Sequence, residues 1–284
     1  MMTKNRTHAV SLATSLSRAM ASGFVALLLG VSAAVAEVTI EEIRYQAGDA
    51  EFVGYLAYDD AVEGKRPGVL VVHEWWGLND YARKRAEMLA AEGYTALALD
   101  MFGGGRTADH PDGAKAFTEE VFADLAQAEG RFDAAKVALQ RHETVDPDSI
   151  AAIGYCFGGG VVLHMARKGA DLDAAVSFHG TLASRTEVEP GAIKARVLVF
   201  NGDADPYVPR SQVQEFIAEM QDAEAQYHFV GYPGALHTFT NPEADSVAER
   251  FGLATAYDAE ADRDSWKQML AFFDILFADG AASR

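Results

Sequence analysis

Cysteine is nearly absent from this chain. Cys156 is the only one in 284 residues. A lone thiol closes no internal disulfide, so Cys156 is either a small buried hydrophobe or a thiol kept for chemistry. Basic side chains are also scarce, 24 against 42 acidic ones. Such a balance repels nucleic acid and anionic lipid and reads as a solvated acidic surface that keeps the protein soluble. Internal repeats, low-complexity tracts and charge runs are missing, which removes support for scaffold and DNA-binding readings. The histidines do not pair at ligand spacing, no acidic cluster has calcium spacing, and no glycine loop is built to cradle phosphate. Neither a metal nor an organic cofactor is therefore expected.

One long apolar run is present, Ala19 to Val35, interrupted only by Ser22, Gly23, Gly30 and Ser32. Lys4, Arg6 and Arg18 are the charged side chains of the first 36 residues, and Ala34-Val35-Ala36 offers small residues where a signal peptidase reads. Residues 1–36 read as a secretory signal peptide cleaved after Ala36, which implies a secreted or periplasmic protein. An uncleaved anchor is the competing reading, but the run is short for a ~20-residue span. Without the three leader cations, 24 − 3 = 21 basic residues face 42 acidic ones, a net charge near −21. No stable membrane insertion is expected after the leader is removed, and a monomer is expected.

The remainder, 37–284, reads as one globular domain: the chain is 49% hydrophobic, with Gly 25 and Pro 8. Val38–Tyr45 and Phe52–Tyr58 alternate as two strands of a hairpin around Gly48-Asp49. Gly68–His73, Thr95–Asp100, Ser149–Gly154, Ala174–Phe178, Val197–Asn201 and Gln226–Tyr232 are further strands, several of them wholly apolar and so expected to be buried on both faces. Helical patterns fall at Asp80–Glu92, Glu119–His142, Phe157–Lys168, Gln212–Gln221 and Asp262–Phe277, and Met101–Gly113 reads as a loop. This alternation predicts an α/β fold, a mostly parallel sheet with helices on both faces. Ligands in such folds bind beyond the carboxyl ends of the strands.

Just beyond one of those ends stands Gly154-Tyr155-Cys156-Phe157-Gly158, between a strand and a helix. This is the G-x-nucleophile-x-G elbow of the α/β-hydrolase fold in its required setting. The nucleophile sits on a strained turn, and the flanking glycines let backbone approach backbone. The turn lifts the side chain above the sheet and aims the Phe157 N–H and the helix N-terminus at a developing oxyanion. That terminus also favours a thiolate. A buried structural cysteine in a glycine-rich turn is the plainer reading.

The chain order of such a site is nucleophile, acid, histidine. Of the histidines after Cys156, His164 lies in the helix that follows the elbow, His228 within an apolar strand, and His179 before any plausible acid. His237 occupies a loop beyond the last strand and can swing an imidazole over the elbow. Two aspartates compete to orient it. Asp205, followed by two prolines, is the better placed, and Asp203 suits a turn cap.

These segments resemble the dienelactone hydrolase family, the carboxymethylenebutenolidases. The likeness runs from about Val38 to Phe277. It is carried by His73-Glu74-Trp75-Trp76-Gly77, by the elbow Gly154–Gly159, by Asp205-Pro206-Tyr207-Val208-Pro209 and by Gly234-Ala235-Leu236-His237-Thr238-Phe239. The resemblance implies an α/β-hydrolase with a triad of Cys156, His237 and Asp205. It further implies that Glu74 touches the resting thiol and helps to deprotonate it, and that Trp75 supplies a second oxyanion N–H beside that of Phe157. Without the resemblance, Glu74 is still unusual, because a carboxylate at a buried strand end is costly unless partnered; a salt-bridged or solvated strand-end glutamate is the plainer reading. Trp76, Tyr155 and Phe239 within these motifs, and His179 outside them, are expected to contact substrate, although Trp75 and Trp76 also suit simple cover over the sheet end.

One departure stands out. The family holds a substrate carboxylate with arginines, one of them soon after the catalytic histidine, whereas here the stretch reads Thr238-Phe239-Thr240-Asn241. Arg106 and Lys115 lie in the region of a second clamp but in no matching motif. The chemistry carries over and dienelactone as the natural substrate stays open. The expected reaction is hydrolysis of a small-molecule ester or lactone through a thioester on Cys156, with the loop Met101–Lys115 as a partial lid. A thioesterase or peptidase on the same triad is the alternative enzyme. The non-enzyme alternative, a secreted binding protein on an inactive hydrolase scaffold, predicts a replaced triad member, and none is replaced.

Overall fold

The computed structural model describes residues 38–282; the expected leader and its cleavage point lie outside them. Eight strands form one sheet: β1 (Val38–Ala47), β2 (Ala50–Asp59), β3 (Arg66–Val72), β4 (Thr95–Leu99), β5 (Val145–Tyr155), β6 (Ala174–Phe178), β7 (Arg196–Gly202) and β8 (Tyr227–Tyr232). The helices are α1 (Asp80–Ala91), α2 (Pro111–Ala123), α3 (Leu125–Gln140), α4 (Phe157–Arg167), α5 (Arg210–Asp222), α6 (Ala244–Phe251) and α7 (Ala259–Ala282). Strand order is β1-β2-β4-β3-β5-β6-β7-β8. β1 and β2 form the expected antiparallel hairpin, β2 meets β4 antiparallel, and every other pairing is parallel. This is the predicted α/β architecture.

Period-two alternation divides the central strands between two cores. Leu70 and Val72 of β3 and Leu97 and Leu99 of β4 face one side, where they meet Phe132 and Leu139 of α3, Val162 of α4 and Phe216 of α5. Val69, Val71, Ala96 and Ala98 face the other, against Ala86 and Leu89 of α1 and Met269 and Phe273 of α7. Each such side chain, removed from water, contributes roughly 1.5–3 kcal/mol for a Val, Leu or Phe. Among the described residues no helix is long and apolar enough to cross a membrane.

The expected loop Met101–Gly113 and single helix Glu119–His142 need correction. The chain turns helical at Pro111, with His110 as N-cap, and breaks at Asp124, whose side chain accepts from the Gln127 N–H at 3.0 Å to start α3. Helix α6, between β8 and α7, has no counterpart in the sequence-based reading.

Candidate active site

β5 delivers Tyr155 at the carboxyl end of the sheet, and α4 begins at Phe157. Between them Cys156 takes φ 52° and ψ −115°. That conformation costs a non-glycine residue roughly 1–3 kcal/mol. Its N–H is held by the Phe178 carbonyl at 3.0 Å and faces His179 Nδ1 at 3.2 Å. The glycines earn the turn its shape: a Cβ on Gly154 would lie 2.1 Å from the Gly158 carbonyl oxygen, and one on Gly158 would lie 2.3 Å from that of Val72. Only bare backbone allows the first turn of α4 to seat against the ends of β3 and β5.

The loop after β8 brings His237 over this turn, with Nε2 3.1 Å from Cys156 Sγ. The loop after β7 supplies the other partner: His237 Nδ1 donates to Asp205 Oδ2 at 2.7 Å. The second oxygen of Asp205 accepts the Tyr207 N–H at 2.8 Å, which fixes the carboxylate. Asp205 is buried, whereas Asp203 is exposed and lies over the backbone of Gly231. The structure therefore brings together Cys156, His237 and Asp205, and leaves Asp203 aside. Burial works against a charged His237, but Cys156 and Asp205 outweigh it and hold its pKa well above that of a free imidazole.

Glu74, just past β3, is fully buried. Its Oε2 accepts from Asn241 Nδ2 at 2.7 Å, while Oε1 has no hydrogen-bond partner among the described residues. Burial raises its pKa from 4.5 to about 7, with Asn241 and His237 opposing the rise. The contact with the resting thiol that the resemblance implied is not made: the carboxylate turns to Asn241, and the sulfur pairs with His237.

Cys156 and His237 open into a cavity of about 310 Å³, at the small end of ligand pockets. Trp75, Trp76, Phe157, Tyr207, Val208 and Val247 supply much of its wall. Phe157 and Trp75, the expected oxyanion donors, both line the cavity and follow neighbouring strands, Val72 of β3 pairing with Gly154 of β5. Trp76 also lines the cavity.

Tyr155, His179 and Phe239 do not, which corrects their expected contact with substrate. All three are fully buried beneath the site. Tyr155, the residue before Cys156, stacks on Phe178 at 4.8 Å. His179 packs edge-on against His237 and Phe239. Arg106 and Lys115 do not line the cavity either: they pair with Glu120 and Glu119. The expected lid is tied down. The Asp100 carboxylate accepts the N–H groups of Phe102, Gly103 and Gly105, Ala108 donates to the Trp76 carbonyl, and Pro111–Lys115 is already helical.

Beneath the imidazole lies a buried polar network that sequence reasoning missed. Arg85 of α1 donates to Asp262 of α7 and to the Thr240 carbonyl, both at 2.6 Å. The Thr240 hydroxyl bonds Tyr81 at 2.6 Å and His179 Nε2 at 2.7 Å. Burial, then His237 and Arg85, push the His179 pKa well below that of a free imidazole, so His179 is neutral. With Nε2–H donated to Thr240, its Nδ1 lone pair faces the Cys156 N–H.

A model of the dienelactone hydrolase family matches residues 52–277. Among solved structures the chain is similar to m3DLH, with 39% identity and a TM-score of 0.80 over 84% of this chain and 98% of that one. It is also similar to a dienelactone hydrolase-like promiscuous phosphotriesterase from metagenomic libraries, with 35% identity and a TM-score of 0.77 over the same shares of the two chains. Protein usf of Aquifex pyrophilus is 27% identical over 236 residues, 81% of this chain and 96% of that one.

Proposed function

The chain belongs to the dienelactone hydrolase family, and from that membership we propose that it hydrolyses carboxylic esters or lactones through a thioester on Cys156. The observation that carries this reading is a single imidazole spanning the Cys156 sulfur at 3.1 Å and the Asp205 carboxylate at 2.7 Å. Asp205 holds Nδ1–H, so Nε2 is the atom that receives the thiol proton. The sulfur then attacks the acyl carbon, and charge moves to the carbonyl oxygen. The backbone N–H groups of Phe157 and Trp75 receive that oxyanion.

Collapse of the tetrahedral adduct breaks the ester C–O bond, and His237 Nε2–H protonates the leaving alkoxide. In the second half, His237 takes a proton from water as it adds to the thioester. The thiolate leaves, recovers its proton from His237, and the carboxylic acid is released. In a lactone, the departing alkoxide stays tethered to the acid. Glu74 takes no proton in this cycle; it is buried behind the site, where its Oε2 accepts from the Asn241 amide on the cavity wall.

The test is turnover of aryl esters, lactones and acyl-thioesters by the native protein and by Cys156→Ala. Loss of ester or lactone turnover in the variant is expected. Turnover at the native rate would refute the reading.

A further inference from the structure

We propose that this site accepts esters with an uncharged, apolar acyl group and discriminates against those whose acyl group carries a carboxylate. The proposal rests on the ester-hydrolase reading above and names the substrate class of that same site.

The case begins with the cavity wall. Apart from His237, which the triad uses, no described residue lining it is an arginine, lysine, aspartate or glutamate. Its polar side chains are threonines, the Tyr207 phenol and Asn241. The Asn241 amide is already committed to Glu74. The rest is indole, phenyl and aliphatic surface contributed by Trp75, Trp76, Phe122, Phe157, Val208 and Val247.

Three of the cations nearby are held by carboxylates, and two stack on aromatic rings without lining the cavity. Arg106 is held by Glu120 and the Phe102 carbonyl. Lys115 pairs with Glu119, and Arg85 lies buried with Asp262. Arg185 is exposed, off the cavity wall, with its guanidinium 4.0 Å from the centroid of the Phe122 ring. Arg250 stacks on its neighbour Phe251.

A substrate carboxylate entering this space would lose its water and gain no ion pair, an unfavourable exchange in an apolar site. It would also approach two buried carboxyls held by wall residues, Asp205 on His237 and Glu74 on Asn241. A methyl group in the same place loses nothing and buries apolar surface. The acidic surface, net charge −18 for the whole chain, disfavours anions before they arrive.

The experiment compares kcat/KM for two esters with the same leaving group and carbon count: p-nitrophenyl hexanoate, ending in a methyl group, and mono-p-nitrophenyl adipate, ending in a carboxylate. The native protein is expected to favour the hexanoate by roughly 100-fold. Val247→Arg on α6 puts a cation on the cavity wall and is expected to cut that preference by about ten-fold. Thr118→Lys, from α2, is the second placement if the first variant fails to fold. Equal use of the two esters by the native protein overturns the proposal while leaving the ester-hydrolase reading intact. So does a preference that neither added cation reduces. Failure to turn over either ester overturns the proposal, and if lactones are also left intact it overturns the hydrolase reading with it.

Discussion

Asn241 donates its side-chain amide to Glu74 across 2.7 Å, joining residues 167 positions apart, and the other oxygen of that carboxylate is buried with no partner among the described residues. The protonated form is favoured by burial, so the pKa rises from 4.5 to about 7. Below about pH 4.5 the carboxyl is protonated both folded and unfolded. Between about 4.5 and 7 the unfolded chain releases this proton while the folded one keeps it, so the fold loses stability as pH rises, by roughly 3 kcal/mol at full ionisation. Glu74→Gln removes the titration and keeps a carbonyl oxygen for Asn241. Urea unfolding at pH 5 and at pH 8 is expected to show the variant gaining on the native protein at the higher pH. A difference that does not change with pH would contradict this assignment.

The two neighbouring aspartates are predicted to separate sharply. Asp205→Asn presents an amide to His237 Nδ1, which favours the wrong ring tautomer, and is expected to lower kcat by about 10²–10⁴-fold. Asp203→Asn, at an exposed position away from the imidazole, is expected to stay within about three-fold of native activity. Steady-state rates on one aryl ester check both. Comparable losses would mean that the carboxylate serving His237 has been misidentified.

Arg85 and Asp262 meet at 2.6 Å with side-chain exposures of 5% and 14%, a pair buried deeply enough that losing one partner strands the other. Asp262→Ala is expected to destabilise the protein by about 3 kcal/mol. Arg85 also holds the Thr240 carbonyl in the segment that carries His237, so ester turnover should fall together with the melting temperature. An unchanged melting temperature would show that the pair contributes little.

Much of the site was legible in the sequence because its chemistry is local. Gly154-Tyr155-Cys156-Phe157-Gly158 states a strand, a turn and a helix within five residues, and each glycine meets backbone that no Cβ could tolerate. The central strands were equally plain, since runs such as Thr95–Leu99 are buried at every position. What escaped was either a short signal or a long-range one. Asp124, the cap of α3, lies inside what reads as one continuous helix, and Pro111, which opens α2, lies inside a glycine-rich stretch that reads as loop. α6 spans only eight residues, too few for periodicity to identify it, yet its Ala244 and Val247 line the cavity.

Tyr155, His179 and Phe239 lie in or near the motifs in sequence but are fully buried and line no part of the cavity. The partners of Glu74 and Arg85 lie 167 and 177 positions away, and no spacing rule joins them.

The most direct test of Cys156 as nucleophile is intact-mass spectrometry of the native protein, quenched in acid within the first turnovers on p-nitrophenyl hexanoate. A covalent intermediate predicts a mass increase of one hexanoyl group, mapped by peptide digestion to Cys156 and absent from Cys156→Ala. An adduct on another residue, or a Cys156→Ala variant that hydrolyses the ester at the native rate, would contradict the account.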